Sequence, residues 1–324
     1  MRELMQPLGF VPVYQSLVWG GQRMAAWRRD LPAGPIGESW DLADHERGMS
    51  VVASGPLTGM TLRELTRAHS REFIGSRWDG GEFPLLIKLI DAADRLSVQV
   101  HPDDALARSL RVGTRGKTEC WLVLADGGEI FVGLKPGTTR EQFSAAVASG
   151  RVSDCLMRHV VQAGDFVFLP ARTVHALGKD TLIYEVQQTC DVTFRVDDWG
   201  RVGLDGKPRQ LHVRESLETI DFSAGTGGGL SHPAWQPHPD GGEARSLVSC
   251  AYFRVTERRA SIIRGPATDV CTIVTCLEGS GSLATASGSV EIRPMTTWVV
   301  PACSGAWTAT GSQGPIRLLI SQPT

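Results

Sequence analysis

The sequence predicts a mainly β protein in two β-rich domains, the first interrupted by inserted helices. Three observations carry this prediction. Strand-like runs recur at 84–101, 117–124, 129–134, 165–170, 181–187 and 192–196, several with period-two alternation of polar and apolar residues. Two capping-box patterns, Thr61-Leu-Arg-Glu64 and Thr138-Thr-Arg-Glu141, open helices between those runs. Residues 223–243, SAGTGGGLSHPAWQPHPDGGE, are Gly, Pro and polar, and mark a linker between a domain at 1–222 and a second at 244–324.

The composition fits this architecture. The chain has 324 residues, 42% hydrophobic and 21% charged, enough for about two domains with full cores. A net charge of −2 gives no reason to expect nucleic acid or an anionic membrane as a partner. No stretch approaches the ~18 apolar residues of a membrane span, and the N-terminal run MRELMQPLGFVPVYQS lacks the apolar core of a signal peptide. Seven scattered cysteines without a Cys-x-x-Cys pair suit free thiols in a reducing cytoplasm. The expected assembly is a monomer or homodimer.

Taken in order, residues 9–58 are rich in Gly, Pro and Trp and read as short strands and tight turns along a sheet edge. The helix opened by Thr61 places Leu62, Leu65 and Phe73 on its buried side. A short helix is expected at 103–111, begun by Pro102 and Asp103-Asp104. The helix opened at Thr138 is expected to run, with a break, to about His159. From Gly164 the first domain reads as nearly all β. Residues 244–324 give short strands with regular turns, an all-β sandwich or barrel. His232 and His238, inside the linker, read as solvated loop histidines.

The candidate site begins in Leu96-Ser97-Val98-Gln99-Val100-His101-Pro102. In an extended strand, side chains at i, i+2 and i+4 share a face. Ser97, Gln99 and His101 therefore point one way, and Leu96, Val98 and Val100 the other. A hydroxyl, an amide and an imidazole together on one face are unlike a structural interior. Gly116-Lys117-Thr118-Glu119 puts Lys117 and Glu119 on a common face. Gly164-Asp-Phe-Val-Phe-Leu-Pro170-Ala-Arg-Thr-Val-His175 is a strand that climbs to a proline turn and delivers a histidine, with spacing G-x5-P-x4-H. Gln99, His101, Glu119 and His175 offer one amide oxygen, two imidazoles and one carboxylate. That donor set suits Zn²⁺, with Mn²⁺, Fe²⁺, Co²⁺ or Ni²⁺ as substitutes. Farther on, Glu185, Gln187, Thr189, Asp191, Thr193 and Arg195 share parity and form one polar wall if the strand is continuous.

The spacing around His175 resembles the second metal motif of the cupin barrels, with Arg172 where that family usually has glycine. The first cupin motif is matched by Gln99 and His101, with its Glu displaced to Glu119 by an inserted helix. The fold this implies is two cupin-like β-barrels (jelly rolls). Across residues 14–222 the chain resembles type I mannose-6-phosphate isomerase, in its shorter bacterial form. The resemblance rests on Trp19-Gly-Gly, Gly37-Glu-Ser-Trp, the Phe83–Asp104 stretch, Gly116-Lys-Thr-Glu-Cys-Trp, the His175 motif, and Glu185-Val-Gln-Gln through Asp198-Trp-Gly-Arg201. It implies one zinc held by Gln99, His101, Glu119 and His175. It also implies Lys88, Lys117, Asp191 and Arg195 in the substrate site, and Glu185 as a group considered for proton transfer.

The reaction implied moves a proton between C1 and C2 of an open-chain sugar through a cis-enediol, so it needs a base and charge stabilisation. Glu185, Asp191 and Lys117 are all candidate bases, Lys117 only if its surroundings lower its pKa. Arg195 suits an enediolate or phosphate. Lys88, in an apolar strand, suits a phosphate with Ser97 as second donor, or else pairs with Asp91 or Asp94. Overlaying the G-x5-P-x4-H spacing on the second domain puts Pro301 on Pro170, Met295 on Gly164 and Ala306 on His175. No histidine follows His238, so the second barrel is expected to lack a metal and to serve by packing. The alternatives are another metal-dependent cupin enzyme, such as a different sugar isomerase or a dioxygenase, and a non-catalytic sugar-phosphate-binding protein.

Overall fold

Most of the alternating runs become strands. The computed structural model describes residues 2–78, 80–223 and 228–324. Among them it is mainly β, as expected, and divides into two compact units interleaved in sequence. The first unit comprises Tyr14–Ser39 and Ile87–His232. The second comprises Met1–Val13, Trp40–Leu86 and Pro233–Thr324. Where composition places a single boundary at 223–243, contacts thus join two N-terminal segments to the C-terminal one, because Leu8–Val11 pairs with Thr297–Val300.

In the unit around Ile87–His232, one sheet contains Phe166–Leu169, Glu119–Val123, Thr181–Gln188 and Leu85–Ala92 in that order. A second contains Leu156–Val160, Glu129–Leu134, His175–Leu177, Val98–Val100 and Phe194–Asp197. Facing side chains of both sheets form one apolar cluster that includes Ile90, Trp121, Val123, Ile130, Val167, Leu177 and Ile183. The outer face of the second sheet is covered by the helices Arg140–Ala148 and Val213–Thr219, where Phe143 and Ile220 join Val98, Val100 and Phe194 in one apolar cluster.

The other unit repeats this strand order. Thr297–Val300, Thr272–Glu278, Ile316–Pro323 and Phe253–Ala260 lie side by side in one sheet, and Gly288–Ile292, Gly281–Thr285, Trp307–Gly311 and Ile262–Gly265 in another. Taken in chain order, the eight strands occupy the same positions as their eight counterparts. Val274, Cys276, Leu318 and Leu283 belong to its shared core.

Four expectations need correction. The second capping box is one residue later than its pattern, with Thr139 and Gln142 as the reciprocal pair. That helix ends at Ala148. Gly150, at φ +67°, turns the chain out, the Arg151 N–H reaches Ala146 O at 2.8 Å, and 156–160 becomes a strand rather than helix. The 223–243 linker contributes two short strands, Gly229–Ser231 and Gln236–Pro237; its residues 224–227 lie outside the described residues. Finally, the polar parity from Glu185 to Arg195 is broken. Thr181–Gln188 and Phe194–Asp197 belong to different sheets, and Gln187 Nε2 donates to Gln188 O and Cys190 O (2.9 and 2.6 Å) to brace the bend. The helix Val213–Thr219 was not expected. His212, which precedes it, supplies no side-chain cap.

Candidate active site

Cross-strand register explains how distant segments meet. His175 lies opposite Gln99, and Gln99 opposite Arg195, so their side chains rise from one face of neighbouring strands. In the facing sheet, Glu119 lies opposite Gln187, and Glu185 opposite Trp121. Along Leu85–Ala92, Lys88 shares parity with Ile90 and Ala92, both in the interior cluster. The interior is therefore apolar at one end, at Val123, Ile183, Ile130 and Leu177. It is polar at the other, at Glu119, Gln187, Glu185, His175, Gln99 and Lys88.

His101, Glu119 and His175 are all buried, with ligating atoms within 4.8 Å of one another. His101 Nδ1 is 2.8 Å from Val192 O and His175 Nδ1 is 2.8 Å from Thr173 O. A carbonyl oxygen only accepts, so each Nδ1 carries the proton and each Nε2 turns a lone pair inward. His175 Nε2 lies 3.2 Å from Glu119 Oε1, and His101 Nε2 lies 3.8 Å from Glu119 Oε2. The Gln99 amide nitrogen is 3.3 Å from His175 Nε2, and a half-turn of that amide presents its oxygen instead. Both Glu119 oxygens are buried and turned toward the two Nε2 atoms. Two inward lone pairs and a carboxylate of this kind fit a divalent cation.

Lys117 shares this space, its ammonium 2.8 Å from Glu119 Oε2 and 3.3 Å from His101 Nε2. Burial alone would lower the pKa of Lys117, but Glu119 and Glu185 outweigh it and hold it above the usual lysine range. The His101 imidazole is pushed well below its ordinary value by burial, then by the Lys117 charge, and is neutral near pH 7. Burial pulls the Glu119 carboxyl upward, yet the Lys117 charge beside it outweighs burial and keeps it ionised.

Lys88 is buried and reaches Glu38 Oε2 at 3.3 Å and Glu185 Oε2 at 3.6 Å. Pairing with Asp91 or Asp94 is thereby corrected: those two meet Arg23 and Arg201. Glu185 accepts from Trp121 Nε1 at 2.9 Å through Oε1. Burial, reinforced by the charge of Glu119, pushes the Glu185 pKa up. Asp191 lies in the bend between the two sheets, and its charge acts on both Lys88 and Lys117. Arg195 donates to Gln210 O at 2.8 Å, while its buried Nε has no acceptor among the described residues. Ser97 is buried, and no hydrogen bond joins it to Lys88 among the described residues.

Glu38 and Trp121 escaped the sequence reading as site residues, although both lie inside quoted motifs. Glu38 was readable as one of two carboxylates, with Asp41, in a largely buried strand, Ile36–Leu42, that also holds Trp40 and Leu42. Arg172 stands at φ +73°, a backbone that favours glycine, and is held there by its N–H to His101 O at 2.7 Å and its Nε to Thr219 O at 3.0 Å.

The family profile of the phosphomannose isomerase type I catalytic domain matches residues 8–118. Mannose-6-phosphate isomerase ManA of Bacillus subtilis is 38% identical over 252 residues, 77% of this chain and 78% of that protein. The chain belongs to the type I phosphomannose isomerase family. A mannose-6-phosphate isomerase from Streptococcus mutans is 34% identical over 310 residues, 94% of this chain and 96% of that protein. The crystal structure of mannose 6-phosphate isomerase from Bacillus subtilis superposes with a TM-score of 0.89 at 30% identity, covering 98% of this chain and 99% of that one. A phosphomannose isomerase variant from Salmonella typhimurium shares the fold, with a TM-score of 0.77 at 16% identity over 98% and 99% of the two chains.

Proposed function

We propose that this chain interconverts mannose 6-phosphate and fructose 6-phosphate by proton transfer through a cis-enediol, at a divalent metal site for which zinc is the first choice. The observation that carries the proposal is the meeting of two groups of buried or largely buried side chains in one interior. His101, Glu119 and His175 form a ligand cluster, and Lys88, Glu38 and Glu185 form a charged cluster beside it. Both double-sheet units are read as cupin-like barrels, with catalysis in the Ile87–His232 unit. Seven free thiols support a cytoplasmic location. No helix among the described residues is long and apolar enough to cross a membrane.

His101, Glu119 and His175, with Gln99 as fourth donor, would hold the ion. When bound, it would polarise the sugar's carbonyl and hydroxyl oxygens and spread the enediolate charge. The chain's own groups do the rest. Lys117 touches two of these residues, so its ammonium would turn from them on loading and serve as a donor to the sugar. Its raised pKa argues against Lys117 as base. Glu185 Oε2 is the favoured proton carrier between C1 and C2. Its raised pKa gives it more basic strength than a surface carboxylate, while Lys88 favours the ionised form. Asp191 is the second candidate. The phosphate falls most naturally to Arg195, whose Nε has no acceptor among the described residues and on which the charges of Arg209, Asp198 and Arg201 act. Lys88 and Ser97 are left for the sugar's oxygens.

The test is deuterium exchange. In heavy water, zinc-loaded enzyme given mannose 6-phosphate should place deuterium at C1 of fructose 6-phosphate, and Glu185→Gln should lose that incorporation. Turnover to fructose 6-phosphate with no solvent deuterium, even at early times, would point to a hydride shift or a fully sequestered proton. No turnover by fully loaded protein would remove the proposal.

A further inference from the structure

The second double-sheet unit has a pocket at the place where the first has its metal ligands. The two correspond by hydrogen bonding. Gly164 N–H donates to Val123 O at 2.9 Å, and Met295 N–H to Cys276 O at 2.7 Å. Both donors sit at positive φ, +92° and +61°. Four residues before those carbonyls stand Glu119 and Thr272. Glu119 lies opposite Gln187, and Thr272 accepts from Gln322 Nε2 at 3.0 Å. His175 lies opposite Gln99, and Trp307 opposite Gly265. Register thus moves the counterpart of His175 from Ala306, where spacing put it, to Trp307. The indole occupies the room: a Cβ on Gly265 would come within 1.9 Å of it.

A carboxylate, an imidazole and an amide in one unit are thus a hydroxyl, an indole and a bare backbone in the other. The space is not closed. A cavity of about 450 Å³ is lined by Thr256, Arg258, Thr272, Trp307 and Gln322, with Arg254 and Arg264 exposed around it and no carboxylate in its walls. Arg258 decides its chemistry. Its residue is 7% exposed, and neither Nε nor Nη2 has an acceptor among the described residues. Arg258 shares parity with Thr256 and Arg254 and lies opposite Leu318, a core residue, so it faces between the two sheets. The acid that acts on it is Asp240, on an exposed turn. A buried guanidinium with two unused donors is costly unless an anion meets it.

We infer that this pocket is a second binding site, for a small phosphate-bearing metabolite whose oxygens take the fork of Arg258. Arg254, Arg258 and Arg264 against one exposed aspartate favour a dianion, the fourth lining arginine, Arg245, being paired with Glu257, and the volume suits a compact ligand rather than a macromolecule. The site is separate from the catalytic cluster and takes no part in the isomerisation.

Equilibrium dialysis of the metal-loaded full chain against radiolabelled inorganic phosphate reads the site directly. Arg258→Gln should lose one equivalent of bound phosphate, while turnover and KM for the sugar phosphate stay unchanged. Arg254→Ala/Arg264→Ala, altered only at exposed positions, should fold regardless and weaken the same equivalent about tenfold. Equal phosphate stoichiometry and affinity in wild type and both variants would overturn the inference. So would displacement of that equivalent by malonate as readily as by unlabelled phosphate, which marks a cation patch with no preference for phosphate. Because the readout is bound phosphate, failure of the isomerase assignment would leave this result standing on its own.

Discussion

The two double-sheet units share eight strands in one order, yet their interiors hold opposite chemistries at matching positions. In the Ile87–His232 unit, the polar end carries Glu119, Glu185, His101, His175 and Lys88, a balanced set of acids, bases and ligands. In the other, Thr272, Trp307 and Gly265 take the places of Glu119, His175 and Gln99, and the pocket wall carries arginines and no carboxylate. The difference teaches that the strand framework sets where side chains converge, while a few interior residues decide what converges there. The apolar half of each interior obeys a common rule, as Ile130 beside Val132 and Leu283 beneath Ala309 illustrate.

The largest effect should come from removing a proposed metal ligand. His101→Ala and His175→Ala should each lose the ion and lower kcat/KM by about 10³-fold or more, since Lewis-acid stabilisation supplies several kcal/mol. Trp307→Ala, at the matching position of the other unit, should leave metal content and kcat/KM alone. Elemental analysis beside steady-state kinetics checks both, and comparable metal loss from Trp307→Ala would break the comparison.

Next in size is Glu185→Gln, which keeps the Trp121 hydrogen bond within reach but removes the proposed base. A kcat loss of about 10²- to 10³-fold is expected, with metal retained. The wild-type pH profile sharpens this assignment. Glu185 must be ionised to act, and its pKa is pushed up by burial and then by Glu119. Activity should therefore fall as pH drops through a value above the ordinary glutamate figure of about 4.3. An acid limb at or below that figure would transfer the role to another group.

Stability should separate the units a third way. Leu283→Ala, fully buried in the second core, should cost about 2–5 kcal/mol in denaturant unfolding while leaving kcat of the folded fraction unchanged. A smaller effect belongs to Asp198. Burial would raise its pKa, but hydrogen bonds from Arg209 and Arg201 hold it below the usual aspartate range. A depressed acid stabilises above its unfolded pKa, and that contribution is lost as pH falls through the folded value. Asp198→Asn should thus cost about 1–3 kcal/mol near pH 7 and progressively less below about pH 4. A cost independent of pH would mean that the pairing is not electrostatic.

The ligand strand was legible because period-two alternation is strict over five residues from Ser97 to His101. The delivery of His175 was legible because a glycine turn and a proline turn bracket one short strand. The capping box at Thr61 was legible for the same reason, being purely local. What stayed hidden depends on residues far apart in sequence. Lys88 meets Glu38 across neighbouring segments of a sheet whose order no local pattern reveals. The polar parity beyond Glu185 failed because the chain changes sheets at 189–193, an event that leaves alternation intact on paper. The strand at 156–160 carries no strand signal because Leu156-Met-Arg-His-Val160 lies on a sheet edge with most of its side chains outward, so burial imposes little pattern on it. His175 and Trp307 were misaligned by one residue because spacing counts residues, whereas register counts hydrogen bonds.

The central claim is that turnover requires an ion held by His101, Glu119 and His175. Its most direct test is to strip the enzyme with a chelator and titrate zinc back while following fructose 6-phosphate formation. Activity should be near zero at the start, rise in proportion to added zinc, and level off at one equivalent per chain. His175→Ala should stay flat across the same titration. Full activity in protein verified as metal-free, or an unchanged titration in His175→Ala, would contradict the account.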